Sequence, residues 1–263
     1  MARATDTRTF DPGWEALYRA GGVAALLAGI LFRRNIAAEI GLFTQSTAPA
    51  TVGDWFVLLQ SNRLLGLAYL NVFDLVNYAL LALMFLALYA ALRRASRSYM
   101  SIATVLAFLG IAAYLASNTA LSMLALSEQY AAASTEAARA PLLAAGQGML
   151  ALSRFAGPGS HPGTAGYVSL LLVAVAGVII SLVMLRSRVF NRATAIVGIV
   201  AGALDLAYCL AYAFLPMVDS ETLALLFIPA AGLFWMVWHV LVGWKLYRLP
   251  RQADQESILP TRP

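Results

Sequence analysis

The sequence predicts an all-α integral membrane bundle of six transmembrane helices with an amphipathic segment on its outer face. Three observations predict it. Residues of the AVILMFWYC set make up 61% of the 263 residues and charged residues only 12%, against roughly 25% charged in a soluble domain. The apolar residues come in long runs, which points to lipid rather than to a larger core, since ~20 apolar residues cross ~30 Å of hydrocarbon. Basic residues gather in the short loops of one side, as they do in cytoplasmic loops.

The first span is predicted at Ala16–Phe32, with a continuation to Phe43 as the alternative. The segment before it holds Asp6 and Asp11 beside Arg3 and Arg8, and the run ends at Arg33-Arg34 with no small-residue cleavage site. This predicts a retained anchor rather than a signal peptide. The remaining spans are predicted at Leu64–Leu92, Met100–Leu126, Gly166–Leu185, Ala193–Leu215 and Thr222–Tyr247. The turns after spans two and four carry Arg93, Arg94, Arg97 and Arg186, Arg188, Arg192, and the tail opens with Lys245, Arg248 and Arg251. Six spans put all of these on one side, so both termini are predicted to be cytoplasmic, in a bacterial inner membrane. The whole chain, 1–263, reads as one domain. Residues 1–13 form a cytoplasmic segment, 127–165 an outer loop and 248–263 a cytoplasmic tail. Arg33 and Arg34 fall on the outer side; they either cap a short first helix or lie on a longer one facing protein or water.

Two outer stretches read as more than loops. Val52–Arg63 is amphipathic and suits the interface. Glu128–Arg154 is alanine-rich and helical in pattern, and the breaker run from Gly157 to Pro162 follows it. It is predicted to lie over the outer face, as a connector or as a lid on an outward cavity.

Composition excludes several function classes. The net charge of +5 is explained by topology and gives no reason to expect a nucleic-acid partner. A single cysteine, Cys209, rules out a disulfide framework and a CxxC pair. Two histidines, His161 and His239, are too few for a histidine-rich metal centre, and no metal or cofactor is predicted. GxSxG, HExxH and nucleotide-loop motifs are absent.

Polar residues inside the spans are the candidate site, because a central Asp costs ~2.5–3.5 kcal/mol to insert and needs an inward environment. Asn71, Asp74, Asn77 and Tyr78 share one helical face in span two. Tyr114, Asn118 and Ser122 do so in span three, Asp205, Tyr208 and Tyr212 in span five, and Trp235 and His239 in span six. Convergence of these faces would give an outward polar cavity for a small molecule or lipid head group, with Arg34, Glu39 and Arg63 at its rim. Asp74 and Asp205 would be its charged contacts, and an Asp74–Arg34 pair would account for both residues. The bland alternative is that Asn71, Asn77 and Asn118 are interhelical hydrogen-bonding groups and that His239 is simply packed beside Trp235 and Trp238. Cys209 reads as a small apolar filler. Two further function classes stay open: an intramembrane lipid-modifying enzyme pairing a carboxylate with His239, and an accessory subunit. Gly21, Ala25 and Gly29, and Gly198 with Gly202, form small-residue stripes that permit close helix packing, within the chain or in a homo- or hetero-oligomer. Pro229 is predicted to kink span six.

The stretch from Ala38-Glu39 to Ala103 carries a further pattern. An Ala-Glu pair ends the first helix, followed by the PATVGDW region, Arg63, Asp74 within the second helix, and Leu88-Tyr89-Ala90-Ala91-Leu92-Arg93 at its turn. This resembles the DUF4386 family of bacterial membrane proteins. Asn191 stands where that family tends to have a proline, and Gly232–Phe234 where its last helix often carries a Glu. The resemblance implies the fold and a bacterial inner membrane, and it implies no activity.

Overall fold

A computed structural model describes residues 12–45, 49–152, 163–215 and 220–258, with the side chains of 13–31, 49–152, 163–215, 222–223 and 226–250. Its regular elements are helices: α1 (Glu15–Gln45), α2 (Val52–Ser61), α3 (Arg63–Tyr69), α4 (Val72–Leu92), α5 (Arg97–Ser117), α6 (Ala120–Ala132), α7 (Glu136–Leu152), α8 (Thr164–Arg186), α9 (Arg192–Phe214) and α10 (Ser220–Ile258). Five stretches among the described residues are long and apolar enough to cross a membrane: α4, α5 taken with α6, α8, α9 and the Leu226–Pro250 part of α10. The chain is a multi-pass membrane protein. The expected first span lies on α1, which runs unbroken through Arg33 and Arg34; the side chains of Arg34 and Glu39 lie outside the described residues.

The long helices pack in chain order and close a ring. α1 lies against α4 and α10, α5 against α4 and α8, and α9 against α8 and α10. Phe85, Leu88, Met100, Ile180, Met184, Trp238 and Leu246 fill the interior. The outer surface is also apolar: Leu27, Val76, Leu109, Ile196 and Val240 are exposed on it. A soluble protein rarely leaves such contiguous apolar area uncovered, and in lipid it carries no penalty. α1 and α10 approach most closely at Gly22 and Gly243, where a Cβ on Gly22 would stand 2.9 Å from the Gly243 carbonyl oxygen.

The basic residues of the turns all reach one end of this ring. Arg93 lies over the Trp14 ring at 5.0 Å, joining the end of α4 to the start of α1, and Arg248 lies over Trp244 at 4.0 Å.

At the opposite end, α2, α3, α6 and α7 form a cap with a core of its own, made by Trp55, Phe56, Leu59, Leu70, Met123 and Leu150. Thr51 and Asp54 begin α2 with a reciprocal capping box. Asn62 accepts from the Leu65 N–H at 3.1 Å and turns the chain into α3. Gln60 Nε2 donates to the Ser127 carbonyl at 2.9 Å, and Arg63 pairs with Glu128, so α2 and α3 are both tied to α6.

The cap changes two predicted spans. Span two begins at Val72 rather than Leu64, and span three ends at Ser117 rather than Leu126 as a regular helix. Asn71 is the cause of the first. Its φ of 58° is the positive value among the described non-glycine residues, and asparagine tolerates this left-handed conformation better than most side chains. Asn118 is the cause of the second: its extended backbone, with φ −68° and ψ 122°, interrupts the helix. The predicted helix Glu128–Arg154 is likewise divided, between α6 and α7, around an extended Ala133. Residues 153–162, with His161, lie outside the described residues.

Candidate functional site

The two helix breaks face each other. Asn118 Nδ2 donates to the Asn71 carbonyl at 3.2 Å, while Asn118 Oδ1 accepts from the Ala120 N–H at 3.1 Å. One side chain therefore bonds to backbone on both sides of the junction: it caps the Ala120 N–H at the start of α6 and adds a second donor to the Asn71 carbonyl, which also accepts from the Asp74 N–H at 3.1 Å. Asn71 contributes its backbone here. Ser122 follows the break and is exposed, so it leaves the face it was predicted to share with Tyr114 and Asn118.

One turn further into the bundle, Tyr114 Oη donates to Asp74 Oδ2 at 2.9 Å. The rings of Tyr78 and Tyr114 stack with centroids 3.8 Å apart and planes 3° from parallel. Tyr78 in turn packs against the main core. Beside Tyr78, Asn77 is buried and its Oδ1 has no hydrogen-bond partner among the described residues. An unpaired buried acceptor costs about 1–3 kcal/mol, which makes Asn77 a position where a bound donor would be favourable.

Asp205 is held from α10. Trp235 Nε1 donates to Asp205 Oδ2 at 2.6 Å, and the same residue's carbonyl receives His239 Nδ1 at 2.5 Å. A carbonyl only accepts, so Nδ1 carries a proton. Trp235 and Trp238 pack edge to face at 5.2 Å, and Trp238 meets His239 in the same way at 5.5 Å. Gly177 on α8 makes room for this cluster, since a Cβ there would collide with the Trp235 ring.

At 1.5 Å per residue, Asp74 stands roughly 27 Å from the Leu92 end of α4 and Asp205 about 20 Å from the Arg192 end of α9. His239 lies closer to the basic end than either. The polar residues therefore occupy the half of the bundle beneath the cap, with His239 below them. A third group, Tyr167, Tyr208 and Tyr212, lies around Cys209, where Tyr167 Oη donates to the Cys209 carbonyl at 3.1 Å. Cys209 itself is fully buried. Among the described residues, no three His, Cys, Asp or Glu side chains gather as a metal ion would require.

Sequence periodicity named most of these positions, because each sits on a helix face with its polar neighbours. It did not find Trp235 as the partner of Asp205, a bond between helices distant in sequence.

A family described as a domain of unknown function, DUF4386, matches residues 16–244. The chain belongs to the DUF4386 family. The match runs from the start of α1 to Trp244 in α10, so this DUF4386 protein carries the cap, every residue of the polar layer and all of the ring but the end of α10 within the family region. No curated protein and no solved structure matches the chain.

Proposed function

We propose that this DUF4386 protein is a six-span protein of the bacterial inner membrane, with both termini cytoplasmic, that binds a small polar molecule or a lipid head group in the layer beneath its cap. α1 supplies the sixth span. From Glu15, Arg33 lies about 27 Å along the helix, near the far edge of ~30 Å of hydrocarbon, where an arginine is tolerated. The observation that carries the binding reading is the Asp74–Tyr114 pair set directly against two helix breaks. An acid held at the cap-side end of a span needs an inward polar partner, and such intramembrane acids mark ligand or ion sites. Asp74, Asn77 and Asp205 supply polar contacts of both charged and neutral kinds, and Asn118 holds the junction.

The enzyme reading has less support. His239 and Asp205 meet the same residue, Trp235, but each spends a polar atom on it. The accessory-subunit reading needs a surface other than the glycine stripes. Gly21 lies against Ala87, Gly29 against Val240, Gly198 against Ser181 and Trp238, and Gly202 against Val178, all within this chain.

Native mass spectrometry of the gently solubilised protein tests the proposal, with wild type beside Asp74→Asn/Asp205→Asn. The expected result is an adduct on the wild type that the double variant loses while keeping its melting temperature. Bare protein in both samples, at equal stability, would remove the ligand role from these carboxylates.

A further inference from the structure

α5 and α8 run side by side with uneven spacing. Nearer the cap, Gly110 of α5 presses on α8, where a Cβ would stand 3.0 Å from the Ser169 carbonyl oxygen and 2.9 Å from Val173 Cγ2. Toward the basic end the contact gives way to a cleft of about 240 Å³ between the start of α5 and the end of α8. Ala95, Tyr99, Leu182 and Val183 line it, with Ser96 and Arg186 as its charged and polar edge.

We propose that this cleft binds an anionic phospholipid of the leaflet at the basic end, with part of one acyl chain between α5 and α8 and the phosphate on Arg186. Four observations support this occupant. The volume falls below the roughly 300–1,000 Å³ of small-molecule sites, yet suffices for a stretch of hydrocarbon chain. Tyr99 and Leu182 are 53% and 47% exposed, so the groove opens on the outer surface of the ring, where lipid chains lie. Arg186 is the last residue of α8 and therefore sits at head-group level. Its guanidinium forms no ion pair among the described residues, and Arg97 and Arg188 flank it with exposed side chains. Ser96 makes no side-chain cap on α5, which leaves its hydroxyl able to donate to a phosphate oxygen. A guanidinium matches the phosphate geometry in bidentate fashion, and basic pockets between transmembrane helices on the cytoplasmic side suit anionic head groups. This site is separate from the polar layer, at the other end of the bundle, and stands or falls independently of it.

The test is native mass spectrometry of the full chain in mild detergent, titrated with dioleoylphosphatidylglycerol or dioleoylphosphatidylcholine. The wild type is expected to retain phosphatidylglycerol about fivefold better, the effect of one arginine at the membrane surface. Arg186→Gln should bring it down to the phosphatidylcholine level, whereas Arg188→Gln should leave it near wild type. Ala95→Trp, which fills the groove, should weaken retention of phosphatidylglycerol with Arg186 intact. Equal retention of the two lipids by the wild type would overturn the proposal. So would equal losses from Arg186→Gln and Arg188→Gln, which indicate diffuse charge. Displacement of phosphatidylglycerol by inorganic phosphate would also overturn it, in favour of a free anion.

Discussion

At the scale of single residues, the bundle depends on side chains that each satisfy more than one demand. Asn118 bonds to backbone on both helix breaks, and Trp235 joins Asp205 to His239 through its indole and its carbonyl. Buried polar groups of this kind are costly when a partner is removed and nearly neutral when it is replaced by another acceptor. Asp205→Asn keeps an oxygen for Trp235 Nε1, so it is expected to change unfolding free energy by less than about 1 kcal/mol. Asp205→Leu strands the indole N–H and is expected to cost about 1–3 kcal/mol. Unfolding by SDS titration in bicelles measures both. Equal effects would mean that the Trp235–Asp205 bond contributes little to stability.

At the scale of elements, small residues set how closely the helices approach. Membrane helices gain no hydrophobic drive from each other, since lipid is as apolar as leucine, and they associate by packing. Gly22 shows the consequence: a Cβ there would stand 2.7 Å from the Tyr247 nitrogen and 2.9 Å from the Gly243 carbonyl oxygen. Both are backbone atoms and cannot rotate away, so Gly22→Ala must push α1 from α10. A loss of about 1–3 kcal/mol is expected, the usual range for overpacking. Gly148 in α7 gives the opposite case, with nothing within 4 Å of a built Cβ. There alanine adds helix propensity without a clash, and Gly148→Ala should stabilise the cap by roughly 0.5–1 kcal/mol. Thermal unfolding of the two variants in detergent reads out the contrast, and a stabilising Gly22→Ala would refute the close approach.

At the scale of the whole molecule, charge and cap define two ends. The turns after α4 and α8 and the end of the α10 span are basic, while the cap joins α2, α3, α6 and α7 at the other end. Cysteine labelling measures the orientation proposed above. In a Cys209→Ala background, Arg188→Cys is expected to react with a membrane-impermeant maleimide only after the cells are permeabilised. Thr135→Cys, between α6 and α7, is expected to react in intact spheroplasts. The reverse pattern would invert the topology.

The membrane class, the approximate position of the long helices and the basic end could all be read before the fold was known, because each rests on local composition and on a hydropathy period contained in one segment. The sequence also placed Asp74, Asp205, Asn118 and His239 on inward faces. Five other features required the folded chain. The sequence merged α3 with α4 and carried α5 on into α6, because Leu64–Leu70 and Ala120–Leu126 are as apolar as the spans beside them. Hydropathy cannot separate a helix that crosses lipid from one buried in a cap. The left-handed Asn71 and the Asn118 brace across to it arise from two breaks, remote in sequence, that stabilise each other. The glycines could have served an oligomer or the chain itself, and the ring of helices decided which neighbours they meet. Trp235 on Asp205 and the α5–α8 cleft belong to the same category, since pairing and spacing between helices are properties of packing, which no single segment contains.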